Sequence, residues 1–310
     1  MNKSGAKKLT TRTGVILALA AVYLAWGSTH LAIRFALESL PPLLMMGIRF
    51  FLVGLGVYAF LRLRGASAPS AEQWRWSAVV GAFLMLGGSG GVAWAEQSVA
   101  SGLAALVIAT TPLWAVLFAA AWKHRPTMLE WAGLAIGFGG IMLLNIGGDL
   151  RASPLGAAVL VLAAMSWAFG SVWGQRLPLP KGMMAGAAQM IAGGAIVMAA
   201  GLGLGERITS LPTLRSVGAV VYLGVAGSLV GFTAFLYLLG RVRPALAMSY
   251  AYVNPVIAIM LGVWLAGERV GPLEIAAMAV ILGGVALVVM GQRTRKGGDG
   301  ESTRPAVVEE

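Results

Sequence analysis

The sequence predicts an all-α membrane protein with ten transmembrane helices, arranged as two inverted five-helix repeats. Three observations support this fold class: few charges, ten long apolar runs, and a second half that repeats landmarks of the first. The chain of 310 residues is 58% hydrophobic and 11% charged, whereas soluble domains have about 25% charged residues. So few charges could not cover the surface of a soluble protein of this size. We therefore expect a lipid bilayer to cover it.

The apolar runs have the length that a bilayer requires. A transmembrane helix needs about 20 consecutive apolar residues, and these runs are continuous rather than alternating, which excludes the strands of a membrane barrel. We predict spans at 14–35, 43–61, 76–95, 101–122, 129–147, 154–174, 182–203, 214–239, 245–266 and 272–291. What remains is short loops and two tails, with no room for a soluble domain.

The second half of the chain repeats landmarks of the first in the same order. Because each repeat has an odd number of spans, the two copies face opposite ways, which is typical of membrane transporters. The predicted divisions are a cytoplasmic N-terminal tail (1–13), a first repeat (14–148), a second repeat (149–291) and a disordered cytoplasmic tail (292–310). The paired landmarks are Trp26 and Trp167, Arg49 and Gln189, Gly81 and Gly224, Trp94 and Tyr237, Pro112 and Pro255, and Gly139-Gly140 and Gly283-Gly284.

The net charge of +11 reflects membrane topology. With the N-terminus inside, seventeen Lys and Arg residues fall on the cytoplasmic side and four on the outer side, in agreement with the positive-inside rule. We therefore predict a multi-pass protein of the inner membrane with both termini cytoplasmic, and no nucleic-acid partner. The expected partners are the lipid bilayer and a small-molecule substrate. The protein is expected to be a monomer or a weak homodimer.

Charged side chains within the spans are the first candidates for a substrate site, because they are costly at bilayer depth. Arg49 lies six residues into the second span and either neutralises helix ends or attracts a substrate anion. Arg34 precedes Glu38 by four residues, a spacing that predicts an ion pair on one helix face. His30 and Glu96 are the candidate proton carriers; the alternatives are a packing histidine and a solvated carboxylate at a loop.

Aromatic and amide side chains at depth indicate a cavity or buried packing. We predict a cavity for an apolar or aromatic small molecule, with packing within the bundle as the alternative. Glycines four residues apart, such as Gly133 and Gly137, predict close helix contacts. Two prolines within spans, Pro112 and Pro255, predict either static kinks or hinges for alternating access. The cavity residues are Trp26, Trp94, Trp167, Tyr250 and Asn254.

Enzymatic chemistry has little support. The run Gly87-Gly88-Ser89-Gly90-Gly91 matches the pattern G-x-S-x-G, but that motif requires a strand-to-helix turn, and here it lies within a span. An intramembrane serine hydrolase that pairs Ser89 with His30 is therefore a remote alternative. Without a carboxylate pair or a metal-ligand cluster, we predict no catalytic residue, no metal and no cofactor.

Four spans contain short motifs: Trp26-Gly27-Ser28-Thr29, Gly47-Ile48-Arg49-Phe50, Thr111-Pro112-Leu113, and Asn254-Pro255-Val256 with Gly267-Glu268. These motifs resemble the EamA-type drug/metabolite transporter superfamily over about residues 14 to 291. The resemblance implies a ten-helix inverted repeat with a central cavity between the halves. It also implies export of small metabolites, such as amino acids, including aromatic ones. One departure is Lys123-His124, where the family often has Gly-Glu after the fourth helix.

The sequence therefore predicts a secondary transporter rather than an enzyme. The expected activity is export of apolar or aromatic amino acids across the inner membrane by alternating access. The alternatives are a channel-like facilitator and a multidrug exporter. The form of energy coupling (uniport, exchange or proton antiport) is left open.

Overall fold

The computed structural model describes residues 3–121, 126–146, 154–239 and 250–301, and the regular elements in these ranges are helices. The Lys123-His124 departure lies outside them. The first repeat contains α1 (Lys3–Gly27, then Thr29–Ala36), α2 (Pro42–Leu63), α3 (Ala71–Gly81, Ala82–Gly90 and Gly91–Ala95), α4 (Ser101–Ile108 and Thr111–Ala121) and α5 (Met128–Ile146). The second repeat contains α6 (Pro154–Gly174), α7 (Met183–Gly203), α8 (Leu214–Tyr222, Leu223–Val230 and Gly231–Leu239), α9 (Tyr250–Ala266) and α10 (Pro272–Glu301).

The helices have the length and composition expected of membrane spans. Within the described residues, seven helical stretches are long and apolar enough to cross a bilayer, and two shorter apolar helices, Val253–Ala266 and Pro272–Val288, accompany them. The predicted all-α membrane fold is confirmed.

Two helices extend beyond the predicted spans. Helix α1 begins at Lys3, although its membrane-spanning part begins at Thr13. Helix α10 continues to Glu301, into the segment for which disorder was predicted, and the predicted division of the chain stays a prediction. A helix that has formed extends at little cost, because each added residue gains a hydrogen bond.

The two repeats are interlocked. Helix α1 packs on α8 and α9 of the second repeat, and its counterpart α6 packs on α3 and α4 of the first. Helix α2 pairs with its counterpart α7, and α5 pairs with α10. Exchanging the two repeats leaves this pattern unchanged, as expected for two copies related by a pseudo-twofold axis.

Glycines provide the closest helix contacts, as predicted. In the α5–α10 pair, a Cβ atom on Gly133 would lie 2.6 Å from the Gly284 carbonyl oxygen, and one on Gly284 would lie 2.7 Å from the Gly133 carbonyl oxygen. By contrast, nothing lies within 4 Å of a Cβ atom placed on Gly139 or Gly283. Small residues let helix backbones approach in lipid. In each of the motifs Gly139-Gly140 and Gly283-Gly284, one glycine lies at the helix contact and the other does not.

Helices α3 and α8 each contain a π-helical segment, at Ala82–Gly90 and Leu223–Val230. The sequence analysis did not predict these segments, which occupy matching places in the two repeats. Wider π turns often occur at functional sites. These two segments are therefore candidate positions for a functional site in the bundle interior.

The two prolines affect their helices differently. Helix α4 is interrupted at Ala109 and Thr110, and Pro112 is the second residue of the helix that follows, where a missing N–H is tolerated. Helix α9 continues through Pro255 from Tyr250 to Ala266. A hinge at either proline stays a prediction.

Carboxylates of the second repeat cap helices of the first. Glu206 accepts hydrogen bonds from the backbone N–H groups of Leu43 (3.1 Å) and Leu44 (2.8 Å) at the start of α2. Negative charge at a helix N-terminus compensates the helix dipole and satisfies its free donors. The loop between α7 and α8 thereby holds the two repeats together.

Glu206→Ala is expected to lower the stability of the purified protein by about 1 to 2 kcal/mol, because two N–H groups lose their acceptor. Thermal unfolding in detergent measures the change. Glu206→Gln keeps an acceptor oxygen and should lose less. Equal melting temperatures for all three proteins would contradict the capping role.

Candidate functional site

An aromatic cluster joins α1, α8 and α9 in the bundle. It consists of Trp26, Phe235 and Tyr250, with ring centroids 4.6 Å apart for Trp26 and Tyr250, 5.4 Å for Trp26 and Phe235, and 5.7 Å for Phe235 and Tyr250. The Trp26 Nε1–H donates to the Gly227 carbonyl oxygen at 2.9 Å. Gly231 leaves the space that the indole occupies. Two predicted site residues, Trp26 and Tyr250, therefore lie together, and Trp26 contacts the π segment of α8.

Arg49 also lies against the π segment of α8, where a Cβ atom on Gly227 would come 3.1 Å from its Nη2. Its side chain is buried, and its Nη2 donates to the Ser228 Oγ at 3.1 Å. The guanidinium also stacks 4.7 Å from the Phe50 ring centre. Within the described part of the chain it makes no ion pair, and its Nε–H is buried without an acceptor. A buried cation with an unused donor is costly unless something pairs with it, so Arg49 can receive an anion.

Asn254 provides an unused acceptor on α9, the helix that carries Tyr250. It lies one helical turn after Tyr250, and its Oδ1 atom is buried without a hydrogen-bond partner among the described residues. Helix α1 approaches α9 closely, since a Cβ atom on Gly27 would lie 2.8 Å from Ile257. Buried polar atoms are nearly always paired. The unused acceptor of Asn254 and the unused donor of Arg49 are therefore candidates for substrate contact.

The structure places Trp167 and Trp94 elsewhere. Trp167 lies against Gly88 in the π segment of α3, where a Cβ atom would come within 2.7 Å of its ring, and it is 40% exposed. Because α6 and α3 are the counterparts of α1 and α8, this contact repeats the one between Trp26 and Gly231. Trp94 is half-buried near the end of α3. These two residues are separate from the aromatic cluster, so the predicted five-residue cavity is only partly assembled.

A second polar group lies at the end of the bundle that holds the loops 37–41, 96–100, 204–213 and 267–271, which we call the carboxylate end. There His30 Nδ1 lies 2.6 Å from Glu96 Oε1, and both residues are buried. Arg34 pairs with Glu268 Oε1 at 2.5 Å. The predicted candidate proton carriers are therefore in contact, and the alternative of a solvated Glu96 is wrong.

Glu268 also caps α4. Its Oε1 accepts from the backbone N–H of Ser101 at 2.9 Å and from the Ser101 hydroxyl at 2.8 Å, and its Oε2 accepts from the Gly102 N–H at 3.2 Å. A residue of the second repeat thus fixes the start of a helix in the first. The sequence analysis noted Gly267-Glu268 as a motif but not as a cap.

The predicted pair between Arg34 and Glu38 is wrong. Helix α1 ends at Ala36, so Glu38 lies in a turn and leaves the helix face of Arg34. Glu38 instead pairs with Arg215 at the start of α8, at 2.9 Å. Both charges of the expected local pair therefore bind the other repeat.

The geometry around Ser89 does not support hydrolysis. Ser89 lies inside the π segment Ala82–Gly90 rather than at a strand-to-helix turn. Among the described residues, the hydrogen-bond partner of His30 is Glu96, and no hydrogen bond joins His30 to Ser89. The nucleophile mechanism requires a base within hydrogen-bond reach of the serine.

An apolar groove of about 550 Å³ opens between α1 and α8, on the other side of the aromatic cluster from the carboxylate end. It is lined by Leu17, Leu229, Val230 and Tyr237, among others, and Leu17 is largely exposed. This groove was not predicted, because it depends on a contact between the repeats.

Comparison with known proteins agrees with this architecture. The chain is 46% identical over 276 residues to the inner membrane transporter YedA of Escherichia coli K12, covering 89% of this chain and 90% of that protein. It is 26% identical to a probable terminal-alkyne amino-acid exporter of Streptantibioticus cattleyicolor (88% and 92% covered) and 24% identical to a probable amino-acid metabolite efflux pump of Escherichia coli K12 (93% and 98% covered).

Solved structures share the fold. One crystal structure superposes with a TM-score of 0.63 at 22% sequence identity, over 91% of this chain and 99% of that one. The model of the EamA-like transporter family matches residues 12–146 and again 154–290, the two repeats in turn. With its duplicated five-helix units and its relatives among transporters, the chain belongs to the EamA-like transporter family.

Proposed function

We propose that this transporter exports amino acids with apolar or aromatic side chains across the inner membrane by alternating access. The single observation that carries the proposal is the buried guanidinium of Arg49, which has an unused Nε–H donor and no ion pair among the described residues. The relatives named as exporters of amino acids or their metabolites support the substrate class.

A zwitterionic amino acid satisfies the unused polar atoms of the site. Its carboxylate would accept from Arg49, and such charge-assisted hydrogen bonds are about twice as strong as neutral ones. Its ammonium group would donate to the Asn254 Oδ1 atom. The rings of Trp26, Phe235 and Tyr250 would contact the side chain, which accounts for the proposed preference for apolar and aromatic substrates.

The distribution of contacts between helices supports a closed carboxylate end. There the ion pairs of Arg34 with Glu268 and of Glu38 with Arg215 cross from one repeat to the other. Among the described residues at the opposite end, the hydrogen bonds of Arg62, Ser70 and Thr127 lie within one loop or helix. With both termini cytoplasmic, as the positive-inside rule predicts, we infer a state closed to the outside.

Counterflow in proteoliposomes tests the proposal. We expect vesicles loaded with unlabelled phenylalanine, tyrosine or leucine to accumulate the labelled amino acid, with a rate that saturates. A carrier produces this result because it must return with substrate bound. Flux that rises linearly with concentration would favour a facilitator instead, and the absence of any amino-acid flux would contradict the proposal.

The apolar groove favours one second candidate, a multidrug exporter. Its lining of Leu17, Leu229 and Val230 would suit a bulky apolar compound that enters from the lipid. Accumulation of a cationic dye without competition by amino acids would support this function over the first.

A further inference from the structure

We infer that the four side chains His30, Arg34, Glu96 and Glu268 form a proton-binding site that controls the carboxylate end, so that binding of one proton favours the closed state. The inference rests on the proposed alternating-access transport for its use in the cell. Its test does not require a substrate. Besides His30 and Glu96, the site includes the ion pair of Arg34 with Glu268, which joins the two repeats.

Counting charges provides the first argument. Glu96 and Glu268 contribute two negative charges and Arg34 one positive charge, so the site carries −1 while His30 is neutral. An uncompensated charge in a buried site is unfavourable. One proton, shared by His30 and Glu96 across their 2.6 Å contact, makes the site neutral.

The surroundings of Glu96 provide the second argument. The charged or titratable groups that act on it are His30 and Arg34 from α1 and Glu268 from the loop after α9. Its Oε2 atom is buried without a partner among the described residues, so no hydrogen bond at that atom stabilises the charged carboxylate. Glu96 follows the last residue of the third span, and burial, opposed by His30, raises the pKa of its carboxyl from 4.5 to about 7.

The position of the site connects protonation to a movement. Arg34 and Ser101 of the first repeat are bound by Glu268 of the second, so opening this end must break their contacts. Once water reaches Glu96, its charged form is solvated and its affinity for a proton falls. The closed state therefore binds the proton more tightly, and the open state is favoured increasingly as the pH rises from about 4.5 to about 7.

This direction suits an exporter that exchanges protons for substrate. A proton bound from outside would favour closing of the outer end, and its release inside would leave a deprotonated site that favours reopening. Substrate would leave when the outer end opens. The proton gradient would then drive export.

Spin-label distances measure the movement directly. The chain contains no cysteine, so Gln97→Cys and Leu211→Cys introduce the only two labelling sites. Both positions are exposed, and they lie on loops of different repeats at this end. In nanodiscs without substrate, the ratio of the population with the longer distance to the population with the shorter distance should rise about tenfold per pH unit within the window, the slope for one linked proton.

Three variants identify the responsible groups. Glu96→Gln should remove the pH response, and Glu38→Gln, which alters another ion pair at the same end, should leave it intact. His30→Gln should shift the midpoint to higher pH, because His30 favours the charged form of Glu96; this shift serves as the test should Glu96→Gln fail to fold. A wild-type protein without pH dependence, or a response unchanged in His30→Gln, would overturn the inference. Either result would leave amino-acid counterflow unaffected, so the two proposals can fail separately.

Discussion

Arg49→Ala is expected to reduce the affinity for amino acids about 100-fold while the protein remains folded and inserted. The loss corresponds to about 3 kcal/mol, the upper range for a hydrogen bond to a charged group. Stability should be unchanged or higher, because the substitution removes a buried cation that lacks an ionic partner among the described residues. Counterflow at several substrate concentrations measures the affinity, and thermal unfolding measures the stability.

Two variants make this result specific. Arg49→Lys keeps the charge but loses the planar fork of donors, so we expect an intermediate affinity. Arg62 lies at the exposed end of the same helix, where it donates to the Ala66 carbonyl oxygen. The Arg62→Ala variant should therefore transport normally. A purely structural Arg49 would show the reverse pattern: lower stability with unchanged affinity.

Gly284→Leu is expected to destabilise the protein by about 3 kcal/mol or more, and even Gly284→Ala by about 1 to 3 kcal/mol. The physical reason is backbone contact: a Cβ atom there would lie 2.7 Å from the Gly133 carbonyl oxygen, which cannot move without separating α5 from α10. The melting temperature in detergent measures the effect.

The neighbouring glycine is a matched control. Nothing lies within 4 Å of a Cβ atom on Gly283, and alanine is a better helix former than glycine by about 1 kcal/mol. Gly283→Ala should therefore leave the melting temperature unchanged or raise it. Equal losses for the two variants would show that helix packing at Gly284 is not the cause.

The sequence was sufficient for the fold because the fold depends on patterns along the chain. Apolar runs of bilayer length and the spacing of Gly133 and Gly137 identify helices and their close faces without knowledge of any partner. The matching positions of Trp26 and Trp167 predicted the repeat, and both contact π segments, Trp26 at Gly227 and Trp167 at Gly88.

The candidate site was predicted less completely, because it depends on contacts between the repeats. Spacing alone paired Arg34 with Glu38, but each binds a residue about 180 or more positions away. Ser228 belongs to the other repeat, so no local signal places it beside Arg49. The Gly-rich stretches near Gly87 and Gly227 were the one available indication that these helices depart from regular geometry.

The interlocked packing of the two repeats has a consequence for biosynthesis. The partners of α1 are α8 and α9, and those of α3 and α4 include α6. The first five helices therefore lie in the membrane without these partners until the second repeat has been synthesised. We therefore expect neither repeat to be a stable product by itself. The chain must be almost fully translated before it can mature, and ribosomes that stall after the first repeat should produce a substrate for membrane proteases.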